Sequence, residues 1–142
     1  MKRSIVAMAA ALLASPVMAA GGSPKVNYML HCSGCHGPDG AGNPGVGIPD
    51  MRGSIGHFPK AKYGRDFLIQ VPGTSQTSMT DAEVAVMMNW MLQQFSAAEV
   101  PIGTLPYTEQ EVRQLRANRL ADVPGRRAAI ISELKAQGIS IE

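Results

Sequence analysis

The chain has 142 residues, with 13 Lys and Arg against 11 Asp and Glu. One small domain is the expectation, and a strongly basic nucleic-acid binder or an acidic disordered tail is excluded. Aromatic residues are only 5% while methionines number nine, so a core this small is filled by flexible sulfur side chains or by a large flat cofactor.

Residues 1–20 carry Lys2 and Arg3, an apolar run over 5–13, and the small residues Ala14, Ser15, Ala19 and Ala20 around Pro16. That is the pattern of a secretory signal peptide. Its cleavage removes two cations and leaves basic and acidic side chains in equal number. The apolar run is shorter than the roughly 18 residues of a membrane span, and no such run occurs elsewhere. A soluble protein exported to the periplasm, with no stable membrane span, is expected.

Ser23 and Pro24 are a cap and a first-turn proline for a helix that runs through Leu30. Tyr28 and Cys32 then lie on one helical face. Residues 37–56 are rich in Gly and Pro and read as loop. Residues 64–71 read as a short helix begun at Asp66, with Phe67, Leu68 and Val71 inward, and 72–79 as a second loop. The clearest helix spans 80–95. Thr80 and Glu83 form a capping box, and Val84, Met87, Met88, Met91 and Phe95 make one apolar face, flanked by Trp90. Beyond it, residues 96–142 form an extension of about two short helices. Thr108 and Glu111 open the first, which runs to about Leu120; Asp122 and Pro124 open the second, which ends near Gly138. Val112, Leu115, Arg116 and Arg119 give the first a narrow stripe; Ile130, Ile131 and Leu134 supply the second. No strand alternation is convincing, so the fold class is all-α.

The two cysteines, Cys32 and Cys35, are separated by two residues and followed by His36. A disulfide between them would close a tiny loop and restrict the unfolded chain little. The Cys-x-x-Cys-His string reads instead as a site for covalent haem c, one per chain. Two thiols one helical turn apart can each add to a vinyl group, and the adjacent imidazole falls under the iron. A thioredoxin-like motif would need a βαβ pattern. A zinc site would need four ligands, from Cys32, Cys35, His36 and either His31 or His57.

Residues 23–95 resemble a class I c-type cytochrome. The specific match is YMLHCSGCHGPDGAG; IPDMRGSIGHF and the capped helix TDAEVAVMMNWML are similar to further segments of that family. The resemblance implies a small haem domain over 21–95, covalent attachment through Cys32 and Cys35, and His36 as proximal ligand. It places a Pro49 carbonyl on the imidazole N–H, His57 near a haem propionate, and Tyr28 against Trp90 where the terminal helices cross. The distal ligand it implies is a Met in the loop before the last helix. Met79 is the only sulfur there, directly before the cap, where it also suits a hydrophobic staple. Met51 is the fallback, and His57 would give bis-histidine iron.

The function implied is periplasmic transfer of single electrons between redox partners. Two alternatives stand beside it. One is a dedicated subunit of a periplasmic dehydrogenase, with the extension as interface. The other is a haem enzyme or gas-binding protein with an open sixth site. No constellation suggests substrate turnover, so an electron carrier rather than an enzyme is expected. Arg52, Lys60, Lys62 and Arg65 form a local basic cluster that could steer an acidic partner.

Overall fold

Ser23 begins the first helix as its side chain suggests. In the computed structural model, which describes residues 22–141, its hydroxyl accepts from the Val26 N–H at 3.3 Å. The leader expected over residues 1–20 lies outside the described residues. Helix α1 covers Pro24–His31 and runs almost directly into the single turn α2, Ser33–His36. Gly37 ends it with φ 73°.

The loop that follows holds a 3-10 turn at Pro44–Val46 and an isolated bridge between Asn43 and Ile48. Among the described residues there is no strand, and the fold is all-α. A longer 3-10 turn, Ile55–Lys60, lies against the end of the main helix. The Gly56 N–H donates to Ser96 Oγ at 3.0 Å, and a Cβ added to Gly56 would stand 2.3 Å from the Ser96 carbonyl oxygen. Only glycine allows that approach.

Helix α3, Gly64–Gln70, stops one residue before Val71, which was expected to point inward. Val71 is its half-buried cap, while Ile69 is completely buried beside Phe67 and Leu68. Three consecutive residues are buried because α3 is covered from several sides. The stretch expected to be loop from Pro72 begins with a helical turn, α4, Pro72–Ser75, because proline suits a first helical position.

Helix α5, Asp81–Ser96, has the expected capping box at Thr80 and Glu83, and buries Val84, Met87, Met88 and Met91. Where α1 crosses α5, the Tyr28 ring lies 5.6 Å from Trp90 and 5.1 Å from Phe95. The Tyr28 hydroxyl donates to the Gly37 carbonyl at 2.5 Å, and burial pushes its pKa up to about 12. Tyr28→Phe should therefore lower stability by about 1 kcal/mol, the value of one such hydrogen bond, read as a lower urea midpoint at unchanged slope.

The extension folds back on the chain. Helix α6, Glu109–Ala117, packs on α5 and α3; helix α7, Val123–Ala136, packs on α3 and the Ile55–Lys60 turn. Helix α6 ends earlier than the expected Leu120, because the Asn118 side chain turns back to the Gln114 carbonyl at 2.8 Å. Val112, Ile130 and Leu134 are at most 1% exposed.

Tyr107 pins the connection. Its backbone N–H and C=O meet the Asn89 amide at 2.8 and 3.0 Å, and its hydroxyl donates to the Arg65 carbonyl at 2.7 Å. The Arg65 guanidinium lies 3.9 Å from the centre of the Tyr107 ring and forks onto Glu111 at 2.6 and 2.8 Å. No helix among the described residues is long and apolar enough to cross a membrane.

Candidate functional site

The end of α1 brings Cys32, Cys35 and His36 together, because the Cys35 and His36 N–H groups both return to the Cys32 carbonyl, at 3.2 and 3.0 Å. Both thiols are free. Cys32 faces inward, its Sγ 3.8 Å from Met87 Sδ, and burial pushes its pKa up to about 11. Cys35 is exposed.

His36 is half-buried. Desolvation lowers its pKa, and the Pro49 carbonyl acts in the opposite direction. That carbonyl falls short of hydrogen-bond geometry, so Nδ1 is a buried polar atom without a partner. Such an atom is costly unless a ligand, a water or a small adjustment satisfies it. The Pro49 segment is held beside His36 through Gly42. The Gly42 N–H donates to the His36 carbonyl at 2.9 Å, its φ is 63°, and a Cβ there would stand 2.3 Å from the Pro49 oxygen. The glycine-rich loop thus returns across the imidazole rather than away from it.

Met79 is 5% exposed and belongs to the same apolar cluster as Met87, Met51 and Val84. Burial suits both a ligand and a staple against Val84, the fourth residue of α5. Met51 is equally buried, and its N–H donates to the Gly40 carbonyl at 2.9 Å. His57 is half-buried with Nδ1 3.0 Å from Lys60 Nζ, and desolvation and that cation lower its pKa.

The basic cluster does not form a free positive patch. Arg52 pairs with Asp50 at 2.7 Å and Asp39 at 3.2 Å, and Arg65 is committed to Glu111. Lys60 is engaged by His57, and Lys62 lies over the Tyr63 ring. Among the described residues no three His, Cys, Asp or Glu side chains converge as a metal site, so the four-ligand zinc grouping is not assembled. The strand that a thioredoxin-like motif needs is also absent among them.

Two features escaped sequence reasoning. One is the contact of Met87 with Cys32, although Met87 was legible as core. The other is Arg116, counted with the stripe of α6, whose guanidinium reaches the carbonyls of Ser75, Thr77 and Met79. No local signal reveals partners so distant in the chain.

No protein-family model matches the chain. Two curated relatives are both named cytochrome c-552 and both come from Thermus thermophilus. One is 29% identical over 138 residues, covering 84% of this chain and 90% of the relative. The other is 29% identical over 107 residues, covering 63% of this chain and 81% of the relative. The likeness supports a c-type cytochrome that carries electrons, and the all-α fold agrees with it.

Proposed function

We propose that the protein is a periplasmic monohaem c-type cytochrome that passes single electrons between redox partners. Cys32 and Cys35 hold haem c covalently, His36 is the proximal ligand, and Met79 is the distal one. Pro49 and His57 belong to the haem surroundings. The domain over residues 21–95 carries the cofactor, and residues 96–142 brace it.

One observation carries this reading. Two free thiols one turn apart adjoin an imidazole that has a buried, unpartnered Nδ1 and a backbone carbonyl beside it. This donor set fits haem c, with a small movement of the Pro49 carbonyl fixing the ring's tautomer. The bound haem supplies the one-electron iron couple. The chain's part is ligation, burial and control of access to the iron. The burial of Val112, Ile130 and Leu134 supports an extension spent on its own domain rather than reserved for a dehydrogenase.

The test is the visible spectrum of the ferric and ferrous holoprotein, with carbon monoxide added to the latter. The wild type should be low-spin and indifferent to carbon monoxide. Met79→Ala should bind carbon monoxide and have a lower reduction potential, because a thioether ligand raises the potential. A wild type that binds carbon monoxide as readily as Met79→Ala overturns the distal assignment and favours the open-site alternative.

A further inference from the structure

The segment between α4 and α5 has little regular structure of its own. Within it, the Met79 N–H reaches only Thr77 Oγ1, at 3.4 Å. Its carbonyls are satisfied from elsewhere, by one side chain of the extension. Arg116, on α6, donates from Nε to the Ser75 carbonyl at 3.1 Å, from Nη2 to Thr77 at 2.7 Å, and from Nη1 to Met79 at 2.9 Å. Nη1 also meets Asp81 Oδ1 at 2.8 Å, so the first residue of α5 fixes the guanidinium in place. The Arg116 side chain is only 17% exposed, which shields these bonds from water.

A planar guanidinium with five donors can serve several carbonyls at fixed angles; an ammonium cannot. The three bonds span every second residue of the segment and end on the methionine itself. We propose that Arg116 is the positioning residue for the sulfur of Met79, so that the extension sets how firmly the distal ligand is held. This rests on Met79 as the distal ligand. A thioether is a weak ligand, and an external one displaces it only when its loop opens. The apparent affinity for the competitor therefore scales with the fraction of molecules in which the loop is open.

The experiment is a titration of the ferric holoprotein with imidazole, following loss of the sulfur-to-iron charge-transfer band. Arg116→Gln should bind imidazole about tenfold more tightly than wild type, the factor expected when roughly one charge-assisted hydrogen bond's worth of closure is lost. Arg116→Lys keeps the charge and the Asp81 partner but not the fork, and should fall between them. Glu111→Gln is the control. It loosens α6 at Arg65, away from the loop, and should lower the melting temperature while leaving the imidazole affinity at the wild-type value.

Equal affinities for wild type and Arg116→Gln overturn the inference, as does an equal gain in Glu111→Gln, which would mean general loosening. If Arg116→Gln does not fold, Arg116→Lys decides, and a wild-type affinity there overturns the inference. A wild type without the band removes the distal assignment, and this inference with it. That outcome is distinct because it appears before any variant is made.

Discussion

Replacing Cys32 and Cys35 together with alanine should yield a chain that carries no pigment through a denaturing gel and has lost most of its helical signal in far-ultraviolet circular dichroism. The reasoning starts from composition. A core with 5% aromatic residues and nine methionines has few rigid side chains to define it. A covalent haem adds apolar area that cannot dissociate. Without the thioethers the haem is held only by ligation and contact, and the ordering cost of the long Gly-rich loop around it goes uncompensated. The single variants should be milder and should differ. Cys35 is exposed, and its loss removes one thioether while leaving the interior as it is. Cys32 packs against Met87, so Cys32→Ala also opens a small cavity and should be the less stable of the two. In either, one vinyl group stays unsaturated, and the pyridine haemochrome band should move to longer wavelength. A pigmented double variant surviving denaturation would refute covalent attachment at these positions.

Local signals in the sequence were read correctly where the physics is local. Ser23, Thr80, Thr108 and Asp122 each accept from a backbone N–H of the helix they open, because a cap needs only a side chain and the next turn. The juxtaposition of Cys32, Cys35 and His36 was legible for the same reason. Residues governed by distant partners were not. Val71 was expected inside because it continues a helical face, but the helix ends at Gln70 and Ile69 takes the interior place. Arg52 and Arg65 looked like neighbours in a basic patch. Each has its own acidic partner, and that of Arg65 lies on α6, 46 residues away. Arg116 looked like an edge of an apolar stripe. Its role depends on which loop the extension lies against, and only the fold decides that.

Leu134→Ala should cost about 2–5 kcal/mol, the range for emptying a buried leucine site. The expected location of that loss is the informative part. Leu134 is fully buried on α7, at 0% exposure, far along the chain from the cysteines. It is not isolated on the extension. The Glu133 carboxylate accepts from the Lys62 N–H at 3.0 Å, the Gln137 side chain donates to the Lys60 carbonyl at 3.3 Å, and Arg126 lies 4.6 Å from the centre of the Tyr63 ring. These contacts tie α7 to the stretch between His57 and α3. On the other side of the molecule, Tyr107 and Arg116 tie α6 to α5 and to the loop that carries Met79. An extension fastened at both ends to the haem domain should not melt by itself. Thermal unfolding of Leu134→Ala, followed by far-ultraviolet circular dichroism and by the pigment's absorption, should give one lowered midpoint shared by both probes. Two separated transitions, with the pigment's midpoint unmoved, would make the extension an independent unit. Its apolar face would then be available to a partner, and the dehydrogenase-subunit alternative would gain the support that the present packing gives to bracing. A single shifted transition ties redox tuning to the stability of the whole chain, since the element that closes the core over Leu134 continues from the helix whose arginine holds the methionine loop.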